Sequence, residues 1–510
     1  MRVVLWHGWL LEGSGSNVYT ARVAEAWRRA GHHVVLLCQE RHTERYSFLD
    51  AVGTVSARGV TGLTETGVPQ VGGRVTLLRP DIGPILPVFV LDEYEGFEAK
   101  RFVDLSEEEL EAYLDRNVDA LRAAIEWHGA DVVVTGHAVP GAVIGRRAIG
   151  RGRYVAKVHG SDLEYAVRPD ERYRGLARAG LVDAAAVAGA SRDVLERTFG
   201  LVPEARLLGV VVPPGVDERF RPLPRRDALE GSARALDADP DTARGRATTL
   251  SDEVHRVLAA RDAHALESLA GTYDQEVPDP GAAAALRRLA GYSGPIVGFF
   301  GKLISQKGPH LLLQALCLLP EDVRALVVGF GGFREWLHAL VAALDAGDEV
   351  ATRWIAERTG TALELDDEQI RASRGLSGRV TFTGRLDHRY SPGALAAIDV
   401  LVVPSVLDEA FGMVVVEAAA AGAPPLVARH SGLAEIAATL ERAVPAAGPF
   451  SFEPGSGSIR RIARGVELHL GRPRGERTTA HRALHLFASA EWSWDRTAGS
   501  LLRAAGGPTR

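Results

Sequence analysis

The sequence predicts an α/β protein built from two doubly wound parallel-sheet domains. Three observations predict it. Short apolar, β-branched runs alternate with longer helical stretches along most of the chain. Those runs are continuous rather than alternating with polar residues, the pattern of strands covered by helices on both faces. The series also occurs twice, on either side of Pro213-Pro214-Gly215, in a chain whose 510 residues suffice for two large cores.

In the first series Val3–Trp6 reads as a strand, Tyr19–Ala30 as a helix stopped by Gly31, and Val34–Leu37 as a second strand. Asp131–Thr135, Tyr154–Val158 and Ala185–Ala188 continue it, while residues from about 42 to 115 give no clear pattern. The second series consists of Ile296–Phe300, Ala325–Val328, Arg379–Phe382, Val400–Val403 and Pro425–Ala428. Two stretches break its rhythm: 223–290, rich in Ala, Asp and Arg, and 344–375, acidic and helix-prone. Both are expected to be helical insertions. Ala480–Leu502 reads as one helix.

Composition narrows the function. Hydrophobic residues make up 46% and charged residues 24%, the balance of a soluble globular protein. A net charge of -6, from 59 basic and 65 acidic residues, argues against a nucleic-acid partner. The notable basic cluster is Arg146, Arg147, Arg151, Arg153 and Lys157, read as a solvated loop or a patch facing anionic lipid or an acidic acceptor. The two cysteines, Cys38 and Cys317, read as buried thiols of a reducing compartment, and no Cys/His cluster has zinc spacing. The first residues read as a strand, so no leader is expected, and no apolar run approaches the ~18 residues of a membrane span. A cytoplasmic protein is expected, with peripheral contact to the inner membrane surface left open. High Ala, Arg and Gly content resembles a high-GC bacterial genome.

The most informative stretch runs from Val403 to Val427. A strand ends at Pro404-Ser405, a loop carries Glu409, and Gly412 opens a helix containing Glu417. A helix N-terminus offers unpaired N–H groups and a partial positive charge, so phosphates favour it. Gly412 lets a ligand approach the backbone, and a carboxylate at Glu417 can accept both hydroxyls of a ribose. A second motif, Val297 to Gly308, runs from a strand into a loop with Gly301, Lys302, Lys307 and Gly308. Two ammonium groups beside a diphosphate would neutralise its charge. In the first half, His159 in Val158-His-Gly-Ser-Asp162 and His137 in Thr135-Gly-His-Ala138 each follow a strand, where open α/β sheets bind ligands. Gly13-Ser-Gly-Ser-Asn-Val-Tyr19 is a Gly-rich loop entering a helix, with Asn17 and Val18 where a dinucleotide fingerprint wants glycine.

The Val403–Val427 stretch resembles the Glu-x7-Glu motif of the retaining glycosyltransferases of family four, which have the GT-B fold. The resemblance implies two Rossmann-like domains facing across a cleft. It implies that Glu409 binds the donor sugar and Glu417 the nucleotide ribose. The backbone at Phe411, Gly412, Met413 and Val414 would hold sugar hydroxyls and phosphate. The second motif resembles the family's Gly-Arg-Leu…Lys-Gly signature, with Lys302 in place of arginine, so charge is kept and the bidentate fork lost. His159 matches a His-Gly-Thr-Asp-like motif beside the donor sugar, and His137 a position near the acceptor. Gly15 and Ser16 lie in a loop that the family sets against the donor phosphate. Thr383-Gly384 resembles the base-binding strand end, and Glu491-Trp-Ser-Trp494 the tail that crosses back to the first domain.

The expected domains are therefore 1–217, an acceptor domain; 218–485, a nucleotide-sugar domain; and 486–510, a returning helix. The expected activity is sugar transfer with retention from a nucleotide-sugar, UDP-linked, to a hydroxyl acceptor. That acceptor can be a small molecule, a polysaccharide or a lipid-linked sugar. The catalytic set is His159, Lys302, Lys307 and Glu409, with no cofactor and no metal. The alternatives are an NAD-dependent oxidoreductase, which the broken glycine fingerprint disfavours, a non-catalytic nucleotide-sugar binding protein, and a sugar phosphorylase on the same fold.

Overall fold

Buried β-branched segments supply the strands of two separate large sheets. The computed structural model describes residues 1–66, 72–91 and 94–506. The first unit comprises Met1–Gly215 with the tail from Trp492, and the second Val216–Glu491.

In the first unit the strands are β1 (Arg2–Trp6), β2 (His33–Leu37), β3 (Ala51–Ser56), β4 (Gly59–Glu65), β5 (Arg74–Pro80), β6 (Ile85–Val88), β7 (Glu98–Arg101), β8 (Val132–Gly136), β9 (Val155–Lys157), β10 (Ala186–Gly189) and β11 (Gly209–Val211). Nine of them form one sheet in the order β11-β10-β9-β8-β1-β2-β5-β3-β4, and β6 pairs with β7 alone. The large sheet is parallel except at its edge, where β4 pairs antiparallel with β3. Val3 through Trp6 are all buried, which is why β1 reads as a continuous apolar run. Chain order reverses beside β1, between β2 and β8.

Three helical segments differ from the sequence reading. The helix read from Tyr19 starts at Gly15, because the hydroxyl of Ser14 caps it by accepting from Asn17 N at 3.3 Å. The unread region also holds a helix over Glu107–His128. Ser106 and Glu109 form a reciprocal capping box at its start, and Gly129 ends it in the left-handed conformation (φ 68°). The tail read as one helix is two, Arg474–Glu491 and Trp494–Ala504, because Ser493 caps the second through Arg496 N. The second helix belongs to the first unit: Trp27 donates its indole N–H to Ala498 O at 3.0 Å, and the backbone of Trp494 lies against Gly215.

In the second unit the strands are β12 (Ile296–Phe300), β13 (Arg324–Val328), β14 (Val380–Phe382), β15 (Val400–Val403), β16 (Pro425–Ala428) and β17 (Ser451–Phe452). Their order is β14-β13-β12-β15-β16-β17, all parallel. This is the 3-2-1-4-5-6 arrangement of mononucleotide-binding halves, with its switch point between β12 and β15. Residues 223–290 are helical as expected, but they are built into the unit. Arg225 bonds Asp399 at 2.6 Å, Ser232 donates to Tyr390 O at 2.8 Å, and Val254, Val257 and Leu258 join the hydrophobic core. Residues 344–346 complete the helix Arg334–Ala346 after β13, and Asp348 and Asp366 cap the two helices that follow.

The basic cluster is not a free patch. Arg146 and Arg151 both pair with Asp183, and Arg147 with Glu111. Lys157, placed there by its sequence neighbours, faces inward from β9 with 2% exposure. Cys38 is buried, whereas Cys317 is only partly so; both are free thiols. Among the described residues no helix is long and apolar enough to cross a membrane.

Candidate functional site

In the second unit the loops after β12 and β15 meet at the switch point. Gly308 makes this possible. It has φ +72°, and a Cβ there would lie 2.1 Å from Pro404 O, so the two loops touch backbone to backbone. The amides of Val406 and Leu407 donate to Gln306 O at 2.8 and 3.2 Å, tying the loops together. The Lys307 ammonium forms an ion pair with Glu409 Oε1, and the hydroxyl of Ser405 lies 3.2 Å from the same oxygen. Glu409 is fixed from behind: its N–H donates to Ser431 Oγ at 3.0 Å, and its carbonyl accepts from Gly432 N at 3.0 Å.

The chain then passes Phe411, which is buried, to Gly412 at φ +106° and into the helix Met413–Ala420. No side chain caps that helix, so its first-turn amides, at Met413 and Val414, have no capping side-chain acceptor. Glu417 on the second turn is 8% exposed, and its carboxylate lies 3.1 Å from His388 Nε2. His388 stands edge-on to Phe220, with ring centroids 5.3 Å apart. The structure thus brings Lys307 to Glu409, and both to the end of β15 that leads to the helix mouth. Gly301 and Lys302 follow β12 directly. The Lys302 ammonium instead lies 5.5 Å over the ring of Phe330, which the Arg385 guanidinium also covers at 5.1 Å.

In the first unit three imidazoles converge at the ends of β1, β8 and β9. His137 and His159 have ring centroids 4.5 Å apart, and His7 lies 5.9 Å from His137. Trp9, Tyr19 and Phe89 wall the group. Asn17 Oδ1 is 2.9 Å from His7 Nε2, and Thr20 Oγ1 is 3.1 Å from Nδ1, so the helix start holds that ring by both nitrogens. The Asp162 carboxylate accepts from Ala138 N at 2.6 Å, Gly160 N at 2.8 Å and His159 N at 3.3 Å, binding the two histidine loops into one piece. His137 has φ +73°, rare for a residue with a Cβ, and its Nδ1 is buried without a hydrogen-bond partner.

Burial sets the electrostatics here. It lowers His7 and His137 to about 3, helped by neighbouring positive charge, and holds His159 well below the usual imidazole range. Burial also pushes Lys157 down to about 7, although Asp162 opposes the shift. Lys157 donates to Val158 O at 2.9 Å and lies 4.9 Å over the ring of Tyr19. Asp162 is itself raised by burial against several N–H donors. Gly15 and Ser16 form the first helical turn after Ser14, outside this cluster.

Sequence reasoning did not single out His7, Trp9, Asp162, Ser405, Ser431 or His388. His7 was within reach, because it directly follows the first strand, the argument already applied to His137 and His159. Glu40, a conceivable ribose ligand in a dinucleotide site, is spent on backbone: it accepts from Leu11 N at 3.1 Å, Arg41 N at 3.0 Å and His42 N at 2.9 Å.

Comparison with known proteins bears on these arrangements. Residues 366–463, which include β14 to β17, Glu409 and Glu417, match the family model of glycosyl transferases group 1. The chain is 29% identical over 259 residues to the 2-deoxystreptamine glucosyltransferase of Streptomyces kanamyceticus, covering 49% of this chain and 55% of the relative. It is 33% identical over 165 residues to the D-inositol 3-phosphate glycosyltransferase of Xylanimonas cellulosilytica, covering 32% of this chain and 33% of that protein. The chain thus spans between a third and about half the length of these curated relatives. Among solved structures it is similar to the sucrose-phosphate synthase of Thermosynechococcus elongatus (TM-score 0.55, 19% identity, covering 98% and 96% of the two chains). It is also similar to Anabaena HepE in complex with UDP and glucose (TM-score 0.57, 15% identity, covering 98% of each chain). The fold is therefore GT-B, with the glycosyl transferases group 1 model lying on residues 366–463 of the second unit.

Proposed function

We propose that this chain is a retaining glycosyltransferase that passes a sugar from a UDP-linked donor to an acceptor hydroxyl. The observation that carries the reading is the Lys307–Glu409 ion pair at the switch point, on the loop leading to the uncapped helix mouth at Gly412. A diphosphate at that mouth would meet the amides of Met413 and Val414 and the ammonium of Lys307, with Lys302 adding charge from the β12 end. Glu409 would take donor sugar hydroxyls and Glu417 the ribose diol, held in place by His388. These fixed charges would do the electrostatic work of a divalent ion, so no metal is required. His159 would support positive charge at the anomeric carbon through a neutral imidazole, His137 would meet the acceptor, and the departing diphosphate would take the acceptor proton. Gly15 and Ser16 would add first-turn amides to phosphate.

The test is thermal unfolding of the full chain with UDP, GDP, ADP and NAD. A ligand of the folded state present at a hundred times its Kd adds about 2.7 kcal/mol of stability. UDP is expected to raise the midpoint most. Stabilisation by NAD alone would defeat the reading, and the anomeric configuration of the product, read by proton NMR, decides retention.

A further inference from the structure

The loop that carries Glu409 has no regular secondary structure over residues 404–412, yet one neighbouring turn grips it along its length. That turn leads from β16 into the helix Ser431–Ala443. Four consecutive residues, 430 to 433, each meet the loop in a different way. The His430 ring donates from Nε2 to Ser405 O at 2.6 Å. Ser431 Oγ accepts from Glu409 N at 3.0 Å, and Gly432 N donates to Glu409 O at 3.0 Å. A Cβ on Gly432 would fall 2.7 Å from Ala410 O, so only glycine allows that approach. Leu433 closes the far end: its Cδ2 lies 2.7 Å from where a Cβ on Gly412 would stand.

Ser431 is the strained member of the four. Its φ is +51°, a left-handed conformation that residues with a Cβ rarely adopt and that glycine takes freely. Backbone shape alone would therefore be served better by glycine. What serine adds is a hydroxyl, and that hydroxyl accepts the Glu409 N–H. Residues 431 and 432 thus engage both backbone polar groups of Glu409, while its carboxylate meets Lys307 and Ser405. A carboxylate that must reach sugar hydroxyls works only from a fixed backbone, because a misplacement of ~1 Å at a reacting site can cost a large share of the rate. Strain held at such a position points to a role for the side chain that the backbone does not explain.

Resting on the glycosyltransferase reading, we propose that Ser431 is a positioning residue whose hydroxyl sets where the Glu409 carboxylate stands. Three substitutions separate the hydroxyl from the backbone. Ser431→Gly relaxes φ and removes the acceptor. Ser431→Ala removes the acceptor and keeps the strain. Ser431→Asn tolerates φ and supplies a side-chain carbonyl. Amide exchange of the unliganded full chain, read by mass spectrometry on peptides covering residues 405–412, reports the hold itself. Exchange is expected to quicken about tenfold in Ser431→Gly and Ser431→Ala and to return toward the unmodified rate in Ser431→Asn. Release of UDP from UDP-glucose, UDP-galactose and UDP-N-acetylglucosamine reports the consequence. Turnover of whichever donor is used should fall about tenfold in Ser431→Gly and recover in Ser431→Asn, while the Kd for UDP alone stays within about twofold. Turnover in Ser431→Gly equal to that of the unmodified chain would mean that the residue only shapes the turn, and overturns the proposal. Unchanged exchange in Ser431→Gly, or a tenfold loss of UDP affinity there, overturns it too. If the unmodified chain releases UDP from none of the three and is not stabilised by UDP, the transferase reading falls, and exchange alone decides whether Ser431 holds Glu409.

Discussion

The two units repeat one architecture and use it in opposite ways. Each places polar residues where strand order reverses beside its central strand. In the first unit that position is dry: His7, His137, Lys157 and Asp162 are at most 2% exposed, and aromatic rings close over them. Burial there strips charge, leaving neutral imidazoles and a lysine lowered to about 7. In the second unit the side chains of Lys307 and Glu409 keep 26% and 15% exposure and neutralise each other beside an open helix mouth. A neutral imidazole suits a sugar hydroxyl; a lysine next to unpaired amides suits a diphosphate. The difference traces to loop residues. Gly308 lets two loop backbones meet in the second unit, whereas Trp9, Tyr19 and Phe89 wall the strand ends in the first.

The largest effect should come from discharging the second site. Lys307→Ala and Glu409→Ala are each expected to lower turnover by about 10²–10³, the usual cost of removing one preorganised electrostatic partner. Steady-state kinetics with the donor identified by thermal shift will measure it. A loss below about threefold in both variants would place the chemistry elsewhere and erase the contrast between the units.

The contrast in loop packing is open to a stability test. Gly308→Ala forces a Cβ to 2.1 Å from Pro404 O at φ +72°, and should cost about 2–4 kcal/mol in urea unfolding. Gly13 also has positive φ, +91°, but a Cβ there meets nothing within 4 Å. Gly13→Ala should cost only about 1 kcal/mol. Equal losses would mean that the two loops of the second unit are not pressed together as described.

What could be read from the chain follows from how local each feature is. The sheet strands were legible because burial on both faces writes itself as an unbroken apolar run, as in Val3–Trp6 and Val400–Val403. The second unit's site was legible because strand end, Glu409, Gly412 and Glu417 are contiguous in sequence. The first unit's cluster is assembled from three distant strand ends, and its members find each other only through tertiary packing. Lys157 was misplaced for the same reason: its arginine neighbours are surface residues, while the pleat of β9 turns its own side chain inward. The helix Glu107–His128 was missed although Ser106 and Glu109 spell a capping box and Gly129 a stop. There the signal was present and the surrounding strands, short and partly exposed, obscured it.

Glu417 separates the ribose contact from the diphosphate contact. Glu417→Gln keeps size and burial but removes charge from the hydrogen bonds proposed for the ribose diol. The expected result is about tenfold weaker UDP binding by titration calorimetry, equivalent to about 1.4 kcal/mol. Unchanged affinity would leave Glu417 as a partner of His388 alone.

The smallest effect probes the dry site directly through pH. An imidazole in the unfolded chain titrates near ~6.5, whereas burial lowers His137 to about 3 in the folded chain. Between those values the unfolded state binds a proton that the native state refuses. Stability therefore rises with pH across that window, and is lost as pH falls from ~6.5 toward 3. Each such histidine contributes a slope of up to about 1.4 kcal/mol per pH unit. The groups facing His137 are His7, His159, Lys157, Trp9 and Phe89; the Gly136 backbone opposes the shift, but burial and Lys157 outweigh it. His137→Asn removes one titrating group, so its unfolding free energy should decline less steeply between pH 6 and 4 than that of the unmodified chain. Parallel declines would show that His137 already carries a proton or meets water in the native state, and the first unit would then be no drier than the second.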